Sequence, residues 1–124
     1  MTPLPSFSEL RRSGETLSVT LELARELAAF DGHFPATPIL PAVAQVDWAI
    51  RIARENFSLP PRFGALRALK FLRIVQPPAR LTLELAAGGD GRSISFRYAH
   101  GGAACSTGRI EFTDDAAGPD RTVL

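Results

Sequence analysis

The chain has 124 residues, 45% of them hydrophobic and 22% charged, with a net charge of +1. That composition suits one globular domain, and a near-neutral chain with few aromatics has neither the basic footprint nor the stacking platform of a nucleic-acid binder. A single cysteine, Cys105, excludes an internal disulfide and a multi-cysteine zinc site, and no apolar run approaches the ~20 residues of a membrane span.

Residues 1–13 are polar and carry prolines, and read as a loose lead-in. No basic segment followed by an apolar stretch opens the chain, so a cytoplasmic protein is expected. From Leu17 to Leu23, Leu17, Val19, Leu21 and Leu23 alternate with Ser18, Thr20 and Glu22, the period-two pattern of a half-buried strand. Ala24 to Ala29 has room for a helical turn or two before Phe30-Asp31-Gly32.

The segment His33-Phe34-Pro35-Ala36-Thr37-Pro38-Ile39-Leu40-Pro41 places three prolines directly after a histidine. Each ring fixes φ near about −65° and biases its predecessor toward extended backbone, so the loop is stiff and holds His33 in one place. Pro41 suits a first helical position. Val43, Val46, Ile50, Ala53 and Phe57 then recur at helical spacing, and the first half of this helix is apolar nearly all round apart from Gln45 and Asp47. Such a helix is buried rather than lying on a surface. Asp47 stands fourteen residues after His33, a carboxylate on an apolar face paired with a fixed imidazole, which is an acid–base combination. Ser58-Leu59-Pro60-Pro61 ends the helix.

Beyond Pro61 the chain reads as strands: Gly64 to Val75, a stretch around Leu81, Leu83 and Leu85, another around Ile94, Phe96 and Tyr98, and a last one from Ala104 to Phe112. Gln76-Pro77-Pro78, Gly88-Gly89-Asp90-Gly91 and His100-Gly101-Gly102 are the turns between them, and residues 114–124 read as a loose tail. Short turns imply antiparallel pairing, so the expected fold is α+β in one domain over residues 1–124: a sheet wrapped around one helix. One sheet covers only part of that helix, and a homodimer is the expected closure. Trp48 and Cys105 read as packing residues, His100 as solvated, and Gln45 as a residue facing a partner subunit rather than a ligand.

Gly32 to Asp47 resembles the FabA/FabZ-type 3-hydroxyacyl-(acyl-carrier-protein) dehydratases, whose motif reads His-Phe-Pro-Gly-x-Pro-x-x-Pro-Gly followed by Glu or Asp on a helix. Phe71 with Val75-Gln76-Pro77-Pro78 resembles that family's later Phe-x-x-Pro-Val-x-Pro-Gly-Asp segment in degraded form. Within the family the short chain is most like the small ApeI-like proteins of aryl-polyene pathways. Ala36 and Ala42 stand where the family has glycines, and Pro78-Ala79 where it has an acidic residue.

The resemblance implies a hot-dog fold and dehydration of a carrier-bound 3-hydroxyacyl thioester to the trans-2-enoyl thioester. It implies His33 and Asp47 as catalytic residues meeting across a dimer interface. Backbone N–H groups of Ala42 and Val43 would bind the thioester oxygen, with Phe34, Pro41 and Phe71 beside the substrate. No cofactor or metal is implied beyond the phosphopantetheine arm that carries the substrate. The partners implied are an acyl carrier protein and a second copy of the chain, with room for a higher oligomer.

Between Glu55 and Glu84 there is no acidic residue, while Arg62, Arg67, Lys70, Arg73 and Arg80 fall there. Arg62, Arg67, Lys70 and Arg73 are therefore candidate contacts for an acidic carrier. Two other functions fit the same fold: an acyl thioesterase, which usually lacks the His-Phe-Pro loop, and a non-catalytic acyl-binding subunit, suggested by the two alanines.

Overall fold

The computed structural model describes residues 4–27 and 38–115. Its elements are β1 (Ser6–Ser13), β2 (Thr16–Leu23), α1 (Ala42–Asn56), β3 (Arg62–Phe71), β4 (Ala79–Ala87), β5 (Ser93–His100) and β6 (Ala103–Thr113). The strands form one sheet in the order β1-β2-β4-β5-β6-β3, every neighbouring pair antiparallel. One helix against a six-stranded antiparallel sheet is the expected hot-dog arrangement.

Alternation does the sorting. Leu17, Val19, Leu21 and Leu23 of β2, Leu81, Leu83 and Leu85 of β4, and Ile94, Phe96 and Tyr98 of β5 all turn toward the helix and are buried. From α1 they receive Ala44, Trp48, Ala49, Ile52 and Ala53. Cys105 is buried in the same core and His100 is exposed, both as expected. Trp48 is fully buried and lies at the centre of the helix, so its ring supplies much of the volume that the small alanines around it leave open.

The lead-in reading fails for residues 6–13, which form β1. Every residue of that strand is exposed, so it carries no buried alternation for a sequence pattern to report. Its order comes from backbone pairing with β2 and from the Gly14 turn, where φ is +59°. Arg12 fastens the hairpin to the end of α1, donating to the Asn56 carbonyl and lying 4.4 Å from the centre of the Phe57 ring.

The third expected strand also ends early, at Phe71 rather than Val75. Leu72 and Arg73 instead both donate their N–H to the Cys105 carbonyl, at 2.8 and 3.2 Å, and the chain leaves the ladder there. Helix α1 begins at Ala42, so Pro41 is the residue before the first helical one, with extended ψ of 150°. Residues 25 and 26 form a turn, closed by the Leu27 N–H on the Ala24 carbonyl, where a helical turn was expected.

Candidate active site

The start of α1 is held by the loops on either side of it. Leu40 donates its N–H to the Val75 carbonyl at 2.8 Å, which ties the segment before the helix to the segment after β3. Phe71 pairs with Ser106 and Ser106 with Tyr98, so the three stand in one row across β3, β6 and β5 on the helix-facing side of the sheet. Above that row sits the first turn of α1.

This turn is uncapped. Pro41 offers no side-chain hydrogen bond and there is no acidic residue in the first turn. The opening amides of a helix have no intrahelical acceptor and carry the positive end of its dipole. The amides of Ala42 and Val43 are therefore available to an oxygen brought to them. Ala42 has no positive φ, since Glu9 and Ala68 are the non-glycine residues with that conformation among those described. Alanine in place of the family's glycine thus costs the backbone nothing here; its methyl group only narrows the space in front of the amide.

That space is a hollow of about 420 Å³ lined by Ala42, Val43, Val46, Asp47, Ile50, Phe63, Leu66, Leu69 and Phe71. Asp47 is the one charged residue of the lining. The structure thus brings together four residues expected at the site: Ala42, Val43, Asp47 and Phe71. Pro41 precedes them directly in the chain but is not among the lining residues. His33 and Phe34 lie outside the described residues. The Asp47 carboxylate is about one-third exposed, with Oδ2 3.4 Å from Nη1 of Arg51 one turn along. A partly exposed i,i+4 pair of this kind contributes only about 0.3–0.5 kcal/mol, so it directs Asp47 without locking it.

The hollow is open. Val43 is 77% exposed, and Phe63 and Phe71 of the edge strand are each nearly half exposed. The helix is therefore covered by its own sheet on one side only, as its all-round apolar character implied.

The four candidate docking cations divide. Arg62, Arg67 and Lys70 pair with Thr113, Arg109 and Thr107, on the sheet face opposite the helix. Arg67 is already engaged: its Nε is 2.8 Å from Glu111, which Arg109 also contacts at 3.0 Å. These hydrogen bonds, that from Arg67 first, hold the Glu111 carboxyl below its ordinary range. Arg73 follows the strand on the loop that leads to Val75.

Gln45 does not face a partner. It is buried against the sheet, where its Oε1 accepts from Ser106 Oγ at 2.7 Å and its Nε2 donates to the Leu40 carbonyl at 3.4 Å. The Gln45 carbonyl accepts from the Tyr98 hydroxyl at 2.7 Å. Burial first, and then the negative charge of Asp47, push the Tyr98 phenol well above its ordinary value, so it stays a neutral donor. The sequence signal for this cluster was a lone glutamine in an otherwise apolar first turn. Its partners were hidden in strand alternation.

Comparison with known proteins identifies the family. The family model of the ApeI-like proteins, described as ApeI dehydratase, matches residues 9–109. The chain belongs to the ApeI-like family. The 3-hydroxyacyl-(acyl-carrier-protein) dehydratase FabZ of Oenococcus oeni is 31% identical over 80 residues, covering 59% of this chain and 58% of that protein. FabZ of Lactiplantibacillus plantarum is 32% identical over 79 residues, 58% of this chain and 54% of the relative. The match thus spans little more than half the length of these curated relatives. Among solved structures, the dehydratase heterocomplex ApeI:P from Xenorhabdus doucetiae superposes with a TM-score of 0.76 at 28% identity, covering 86% of this chain and 96% of that one.

Proposed function

We propose that the ApeI-like chain dehydrates a carrier-protein-bound 3-hydroxyacyl thioester to the trans-2-enoyl thioester. The observation that carries this reading is Asp47 in an apolar hollow that begins at the uncapped amides of Ala42 and Val43. A thioester oxygen hydrogen-bonded to those amides would have its developing negative charge stabilised as the α-proton leaves. His33, by its place in the His-Phe-Pro motif, takes that α-proton. The electron pair of the broken C–H bond forms the new double bond, the C–O bond at the 3-position breaks, and Asp47, once protonated from solvent, gives the departing hydroxyl its proton. Water leaves, and the imidazolium and the carboxylate exchange protons with solvent to reset.

The apolar lining, with Phe71 beside the helix start, suits an acyl chain, and the arm delivering it is the carrier's phosphopantetheine. No further cofactor enters the scheme. Arg62 and Lys70, with Arg67 shared with Glu111, lie on one sheet face to which an acidic carrier would dock, with Arg73 on the loop beyond.

The open side of the hollow is closed, in this proposal, by a second copy of the chain, so that His33 of one protomer serves Asp47 of the other. The apolar inner face of the edge strand β3, with Phe63, Leu66, Leu69 and Phe71 exposed, supports an association along that edge. The similarity to a heterocomplex makes a different chain the competing occupant.

Incubation with a 3-hydroxyacyl carrier protein, read by mass spectrometry, is expected to give a product lighter by one water. His33→Ala and Asp47→Asn are each expected to lower the rate by roughly 10²–10⁴-fold. Release of free thiol instead of enoyl product would establish the thioesterase, and product formation undiminished in His33→Ala would remove His33 from the mechanism.

A further inference from the structure

We propose that Gln45, Ser106 and Tyr98 are positioning residues, a buried brace that sets where the Ala42 and Val43 amides stand over the hollow. The inference rests on the dehydratase reading for the purpose of those amides, and on geometry alone for the brace.

A helix start is ordinarily fixed by a side-chain cap that occupies its first free amides. A cap here would consume the donors that a substrate oxygen needs. The chain anchors the turn from the opposite side instead. Ser106 Oγ holds the Gln45 side chain, and that side chain holds the Leu40 carbonyl, the last carbonyl before Pro41. Tyr98 Oη holds the Gln45 carbonyl. Residues 41–43 are thus bracketed by hydrogen bonds to backbone at positions 40 and 45, while the Ala42 and Val43 amides meet no side-chain cap among the described residues.

The Leu40 N–H bond to Val75 completes the anchorage on the loop side. All three side chains are at least 96% buried, Gln45 being 4% exposed and Ser106 and Tyr98 fully enclosed. None of the buried side-chain polar atoms among the described residues is left unsatisfied. Polar groups at such depth are costly to desolvate, and apolar side chains of similar size would fill the same space without that cost. What the polar set adds is direction: each bond ends on a specified backbone atom beside the donors.

The test uses Tyr98→Phe and Ser106→Ala, which remove one hydroxyl each and keep the surrounding volume. Two readouts are taken on protein confirmed folded by circular dichroism. The first is turnover of a 3-hydroxyacyl carrier substrate, where kcat is expected to fall roughly ten- to a hundredfold with KM nearly unchanged. The second is the infrared carbonyl stretch of bound butyryl-pantetheine thioester, which cannot undergo elimination. The stretch is expected at lower frequency than in solution for the wild type, and to move back toward the solution value in both variants.

Unchanged kcat and an unchanged stretch in folded variants would overturn the brace. If the wild type itself forms no enoyl product, the dehydratase reading fails. The brace then stands or falls on the infrared shift, present in wild type and relaxed in the variants, or absent.

Discussion

The two sides of helix α1 are built on different rules. On the side facing the sheet, Ala44, Gln45, Trp48, Ala49, Ile52 and Ala53 are buried, and the polar atoms there are paired. On the other side, Ala42, Val43, Val46, Asp47 and Ile50 line an open hollow with one weakly held carboxylate. The first side is completed by the chain's own strands. The second exposes a contiguous apolar surface of the kind that marks a binding site. The same helix therefore holds the fold together with one face and leaves an open hollow on the other.

Cutting into the closed side has the largest effect on stability. Trp48→Ala should lower the unfolding free energy by about 3–5 kcal/mol, because removing a large ring at the centre of the core leaves a cavity that the alanines around it cannot fill. Denaturant titration measures it. A loss comparable to that of a surface substitution would mean that the closed side is not where the fold is held.

The open side should respond in the opposite way. Val43→Asp puts a charge on a residue that is 77% exposed, so the single chain should lose no more than about 0.5 kcal/mol. Self-association, read by native mass spectrometry, should be lost. If a pair of chains persists, the hollow is not the joint.

A still smaller effect belongs to the sheet's far turn, away from both faces. Asp90 accepts the Arg92 N–H at 2.9 Å and the Ser93 hydroxyl at 3.1 Å, and the Arg92 bond above all holds its carboxyl below the ordinary value of 3.8. A lowered carboxyl contributes stability above its unfolded-state value and loses it as pH falls through the folded-state one. Asp90→Ala should therefore lower the thermal midpoint slightly at about pH 6, and the two proteins should converge in acid. A difference that persists or widens in acid would contradict the assignment.

The contrast between the two faces also explains what could be read in advance. The alternation in β2, β4 and β5 was legible because each strand has one buried face, and the helix because its apolar residues fall at three and four. Asp47 and the Ala42 amide were legible through the motif. Strand β1 was not, because a fully exposed edge strand is held by backbone bonds that no side-chain pattern records. The end of β3 was not, because the Cys105 carbonyl, distant in the chain, captures Leu72 and Arg73. The partners of Gln45 were hidden for a related reason: a buried glutamine announces a need for hydrogen bonds, but only the β5–β6 register places Tyr98 and Ser106 beneath it.

The proposed active site takes one half from the open face of α1 and the other half from a second copy of the chain. Co-expression of His33→Ala with Asp47→Asn tests it most directly. Each variant alone should be inactive. Mixed dimers carry one site with both residues intact and one with neither, so random pairing should restore about a quarter of wild-type dehydration. A mixture as inactive as its components, although mass spectrometry finds the mixed dimer, would show that His33 and Asp47 do not serve one another across chains.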